Sequence, residues 1–151
     1  MEIVRDDLTG PEVAALLELH LAAMADHSPP GSVHALDLDR LRTPNIDFWT
    51  VRDGAALIGC GALKAIDGGH GEIKSMRTDP GHLRRGVAAA LVEHIVAVAR
   101  SRGYARLSLE TGSGPAFDPA LALYRRFGFV DGAAFGGYQS TAFNQFLHLD
   151  L

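Results

Sequence analysis

The sequence predicts an α+β fold built on a mixed, strongly twisted sheet of about six to seven strands. Three observations carry that expectation. Three β-rich segments between Phe48 and Met76, separated by Asp53-Gly54 and Gly68-Gly69, read as an antiparallel meander. The chain then runs strand, loop, helix, strand from Glu72 to Thr111, a succession that favours a parallel crossover. No repeat, low-complexity tract or linker interrupts the 151 residues, so one domain over 1–151 is expected.

Glu2 to Arg5 reads as a first strand. Thr9-Gly-Pro-Glu12 has the form of a capping box, with Thr9 as N-cap and Glu12 reaching back. The helix behind it carries Val13, Leu16, Leu17, Leu19, Leu21 and Met24 and ends before Pro29-Pro30-Gly31. His27 to Leu36 is an irregular loop, and its stretch His27 to His34 is a candidate for substrate contacts, since loops often carry them. Asp37 to Arg42 forms a short second helix. Phe48 to Arg52 and Ala55 to Ile66 are the arms of a hairpin, and Glu72 to Met76 alternates polar and apolar as the fourth strand.

Asp79-Pro80-Gly81 stops that strand, because proline cannot continue a ladder. From Gly86, Val87, Ala90, Leu91, Ile95 and Val98 fall on one helical face, and Gly103 ends the helix at Arg102. Arg106 to Thr111 alternates cleanly as the fifth strand, parallel to the fourth. Asp118 is expected to cap a helix with Pro119 at its first position and Gly128 at its close. Phe129-Val130 begins a strand, and Asn144 to Leu151 is the last. Its apolar character makes it a candidate dimer edge.

Composition excludes several classes. With 47% hydrophobic residues the chain can build a core. No apolar run approaches the ~20 residues of a membrane helix. Met1-Glu-Ile-Val-Arg-Asp-Asp lacks the basic and apolar regions of a signal peptide, and Cys60 is the only cysteine, so a cytoplasmic location is expected. A charge of −4 argues against nucleic acid and mildly favours a cationic acceptor. His20, His27 and His34 recur every seven residues, but Pro29-Pro30 breaks any common helix, so no metal site is expected. Cys60, between Gly59 and Gly61, reads as a buried inert thiol.

Arg84, Arg85 and Gly86 stand at a helix N-terminus, where free N–H groups, the helix dipole and two guanidinium groups converge on an anion. Gly86 and Ala88 would let a phosphate approach the backbone. The P-loop and G-x-G-x-x-G spacings are both absent. What remains is Arg84-Arg85-Gly86-Val87-Ala88, followed by Ala120, Leu123, Tyr124, Gly128 and Phe129. On these two motifs, in this order, the chain resembles the GNAT superfamily of acyl-CoA-dependent N-acyltransferases. Leu83 stands where the family usually has Arg or Gln, and Phe117 where it often has Asn.

The resemblance implies the three-layer GNAT fold, with a central unit in which the fourth strand, Glu72–Met76, the helix and the fifth strand, Arg106–Thr111, bind acyl-CoA. It implies acetyl-CoA as cosubstrate and acetyl transfer to a primary amine of a small-molecule, amino-acid-like or peptide acceptor. The pantetheine arm would lie between the fourth and fifth strands, held by backbone groups of Met76, Arg77 and Thr78. Arg84, Arg85, Gly86, Val87, Ala88 and Ala89 would hold the pyrophosphate. Tyr124 matches the tyrosine near the cofactor sulfur, where a neutral phenol can donate to a thiolate.

Glu72, fourteen positions before Gly86, is the candidate base, directly or through a water. Glu110 is the second candidate, and His70 shares the strand face of Glu72. Two other readings stand beside this one. The first, motivated by Leu83 and Phe117, is a non-catalytic acyl-CoA-binding regulatory module. The second is a nucleotide-binding protein using the same helix N-terminus.

Overall fold

The computed structural model describes all 151 residues. Seven strands form one sheet in the order β1-β2-β3-β4-β5-β7-β6. The strands are β1 (Glu2–Arg5), β2 (Ile46–Asp53), β3 (Ala56–Asp67), β4 (His70–Thr78), β5 (Arg106–Thr111), β6 (Val130–Asp131) and β7 (Gln145–Asp150). Four helices accompany them: α1 (Pro11–Asp26), α2 (Leu38–Leu41), α3 (Val87–Ser101) and α4 (Asp118–Arg126). The predicted α+β class, the antiparallel meander and the parallel β4-α3-β5 crossover are all present. No helix is long and apolar enough to cross a membrane.

The sheet separates two cores. One lies under α3 and α4 and joins Leu91, Val92 and Ile95 to Leu63, Ile73, Leu107 and Leu109. The other lies under α1 and α2 and joins Val13, Leu17 and Leu41 to Phe48, Cys60 and Ala62. Alternation along the strands sends successive side chains to opposite cores, which is why β2 and β3 are buried along most of their length.

Two irregularities position the site. Ala62 pairs with Lys74 and Cys60 with Arg77, so Ser75 and Met76 together oppose Gly61. That is a bulge in β4, with Ser75 at a φ of 56°. Gly61 is required there, because a Cβ would meet Met76 Sδ at 2.5 Å. Beyond the bulge the parallel pairing fails. Only His70, Gly71 and Glu72 register with β5, and Ile73 to Thr78 have no partner on that side.

Three local expectations differ. Gly10, not Thr9, is the N-cap of α1, since Pro11 takes the first helical position and the Thr9 hydroxyl bonds Asp7 instead. Glu12 therefore turns to Arg52 rather than back to the cap. Asp118 is the first residue of α4 and not its cap. The C-terminal strand is not a free edge, because β7 lies between β5 and β6.

Candidate active site

The divergence of β4 and β5 opens a cleft of about 200 Å³ lined by Met76, Arg77, Thr111, Phe117 and Tyr124. The edge of β4 facing it carries backbone groups with no strand partner, which can accept an added extended segment. Tyr124 is brought to the cleft by α4 and is only 6% exposed, its ring packed edge-on to Phe129 at 5.7 Å. Burial alone pushes its phenol up, and it stays a neutral O–H donor. Phe117, in place of the family asparagine, is buried and packs edge-on to Phe143 at 5.6 Å.

Met76, Arg77 and Thr78 lie along this edge, as the sequence suggested. The Arg77 side chain donates from Nε to His20 Nδ1 at 2.9 Å, and both residues line the cleft. His20, on α1, is thus an acceptor locked in the neutral form, with burial lowering its pKa to about 4. Cys60 is sealed behind β4, its thiol pushed up to about 12 by burial.

The end of β4 lies beside the start of α3, since a Cβ on Gly59 would meet both the Val87 side chain at 2.6 Å and the Arg77 carbonyl at 3.3 Å. Gly86 caps the helix at a φ of 80° with no side-chain cap, and the first bond inside the helix comes from Ala90 to Gly86. The amides of Val87, Ala88 and Ala89 therefore have no intrahelical partner. The Val87 side chain is buried, so it offers the site its backbone only. Arg84 and Arg85 are exposed beside these amides, and Leu83 is exposed as well. The structure brings all six residues from Arg84 to Ala89 to one corner.

The cleft also borders a polar cluster. Glu72 is 3% exposed, and its Oε2 accepts from Lys74 Nζ at 3.0 Å and from the Tyr138 hydroxyl at 2.6 Å. Lys74 Nζ also donates to the Tyr138 oxygen at 2.6 Å, closing a three-membered polar ring. Tyr138 arrives from the segment between β6 and β7, where Phe135 packs edge-on against it at 5.3 Å. Lys74 was legible as the next residue on the strand face of Glu72. Tyr138 had no such signal.

Glu72 registers with Ser108, and Glu110 lies two residues further on the same face of β5. Burial pushes the Glu110 carboxyl up, opposed by His34 and Lys74. His34 reaches over from the 27–36 loop with Nε2 3.8 Å from Glu110 Oε2, and its ring packs edge-on to Tyr138 at 5.2 Å. His70 does not engage Glu72. Its Nε2 meets Ser108 Oγ at 2.6 Å, and Ser108 Oγ meets His148 Nδ1 at 2.6 Å. His148 Nε2 donates to the Ala133 carbonyl at 2.8 Å, so its Nδ1 accepts from Ser108 and Ser108 accepts from His70.

The site thus comprises a helix end with free amides, an unpaired strand edge and two neighbouring carboxylates. The chain as a whole matches known proteins. The family described as "Acetyltransferase (GNAT) family" matches residues 13–129. The chain is 54% identical over 138 residues to the "Uncharacterized N-acetyltransferase YsnE" of Bacillus subtilis, covering 91% of each. A crystal structure from Klebsiella pneumoniae assigned as an acyl-CoA N-acyltransferase is 28% identical, with a TM-score of 0.80 over 99% of this chain and 97% of that one. A GNAT family acetyltransferase from Elizabethkingia anophelis, solved with acetyl-CoA bound, shares the fold at a TM-score of 0.72 and 19% identity, covering 99% of this chain and 97% of that one.

Proposed function

Since the chain belongs to the acetyltransferase (GNAT) family, we propose that it moves the acetyl group of acetyl-CoA to a primary amine of a small molecule or amino-acid-like acceptor. Transfer is direct, within a ternary complex. The observation that carries this reading is the edge of β4 left unpaired from Ile73 to Thr78, which runs from the carboxylates Glu72 and Glu110 to the residues beside the start of α3.

In this reading Val87, Ala88 and Ala89 amides with Arg84 and Arg85 hold the pyrophosphate. The pantetheine arm lies along the unpaired edge of Met76, Arg77 and Thr78, whose backbone N–H groups polarise the thioester carbonyl. The amine attacks that carbonyl, the C–N bond forms and the C–S bond breaks. Tyr124 gives its proton to the departing thiolate, and the second proton shed by the nitrogen as the amide forms restores the phenol.

The amine must first lose a proton. Glu72 has two donors on Oε2 and is the fixed negative charge that draws the ammonium in. Glu110, raised by burial and open to the cleft, takes the proton. His34 beside it hands that proton to solvent.

The test has two steps. Melting is followed with acetyl-CoA, CoA, ATP and NAD, where a ligand at a hundred times its Kd adds ~2.7 kcal/mol. Thiol release is then followed over a panel of amines. A shift with ATP or NAD alone would sink the cofactor assignment. Binding of acetyl-CoA without thiol release across the panel would return the protein to a non-catalytic role.

A further inference from the structure

The cluster around Glu72 opens on its solvent side into a second, larger cavity of about 550 Å³. Glu72, almost fully buried, lines both this cavity and the adjoining cleft that holds Glu110. Arg40 of α2 and Lys64 of β3 line the same cavity.

Seven of the fourteen Lys and Arg residues are paired with a carboxylate, and these two are not. Arg5, Arg52, Lys74, Arg102, Arg106 and Arg125 each hold a carboxylate. Neighbouring Arg42 holds Asp39 and the Leu8 carbonyl. Arg40 and Lys64 have no acidic partner, although the protein carries four more negative than positive charges. Lys64 is the register partner of Glu72 across β3 and β4, so the two share a face of the sheet. The hydrogen bond to Glu72 nevertheless comes from Lys74, which leaves Lys64 free beside an occupied carboxylate.

A cavity lined by a buried carboxylate, with a second carboxylate in the adjoining cleft, and by two unpartnered cations is complementary to a molecule that bears both charges. We propose that Lys64 and Arg40 form an anion subsite, and that the acceptor carries a carboxylate or phosphate in addition to its amine. The amine points to Glu72 and Glu110, and the anion lies between the ammonium of Lys64 and the planar fork of Arg40. Where the amine sits rests on the acetyl-transfer reading; the anion subsite rests on the cavity and its cations.

The test is calorimetric binding to the CoA-loaded protein. The probes are the L-amino acids, each against its carboxamide, and O-phosphoethanolamine against ethanolamine. Lys64→Met and Arg40→Gln are compared with wild type, with melting as the control for folding. At least one acid is expected to bind ten-fold or more tighter than its uncharged counterpart, and either substitution should collapse that ratio. Preference within the amino-acid pairs identifies a carboxylate, and preference within the ethanolamine pair a phosphate. Equal binding within every pair, no binding by any acid, or a ratio unchanged by both substitutions would overturn the subsite. Thiol release is read separately. An anion preference without thiol release would leave the subsite standing and defeat the transfer reading.

Discussion

The Tyr138 hydroxyl donates a 2.6 Å hydrogen bond to Glu72 Oε2 across 66 positions of sequence. That bond ties the segment between β6 and β7 to the first half of β4, and Lys74 Nζ braces both partners. Tyr138→Phe removes a hydrogen bond to a charged group, worth ~1.5–3 kcal/mol. The melting temperature should fall by roughly 3–10 °C, and the KM for the amine should rise as Glu72 loses its fixed position. A variant with the melting point and KM of wild type would show that the bond does not organise the site.

Glu110 should govern the acidic limb of the pH–rate profile. Its carboxyl is raised by burial, and a base works only when unprotonated, so kcat/KM should climb as pH rises through that raised value. Glu110→Gln should lower kcat by roughly 100-fold or more and flatten the limb. Glu72→Gln should act mainly on the KM of the amine. The reverse split would exchange the two roles.

His20 should make the fold acid-sensitive. Its pKa falls to about 4 in the folded protein from an ordinary value of 6.5. Between those values the unfolded chain binds a proton that the folded chain refuses, so stability rises with pH through this window and is lost as pH falls through it. The loss is on the order of 3 kcal/mol over the window. His20→Gln keeps an acceptor for Arg77 and removes the titration, and denaturant melts at pH 7 and pH 4 should differ less for it than for wild type.

Gly86→Ala probes the phosphate corner. An added Cβ would meet nothing within 4 Å, so the cost is backbone strain at a φ of 80°, roughly 1–2 kcal/mol. Gly54, at a φ of 60° in the β2-β3 turn, is equally open and serves as control. Both alanine variants should melt lower, and only Gly86→Ala should weaken CoA in calorimetry. Equal CoA affinity in the two would remove the α3 N-terminus from the cofactor site.

Much of this was readable in the chain. The Asp79-Pro80-Gly81 stop, the helical face from Val87 to Val98 and the alternation of Arg106 to Thr111 are local signals, and they predict the crossover that the structure contains. The Arg84–Ala88 and Ala120–Phe129 motifs are also local, and they pointed to the family. Caps were less secure. At α1, Pro11 and the competing Asp7 side chain displaced the expected role of Thr9, because several turn geometries share the same residues.

Sequence alone determined the elements, the crossover and the corner at Arg84 to Ala89, because periodicity, chain stops and helix-end chemistry act over a few residues. Only the tertiary structure decided the company of Glu72. Lys74 is its neighbour by alternation, but Tyr138, Ser108 and Lys64 reach its surroundings through a loop closure, a parallel register and an antiparallel register. Those pairings depend on the packing of the whole sheet, and no short-range pattern encodes them.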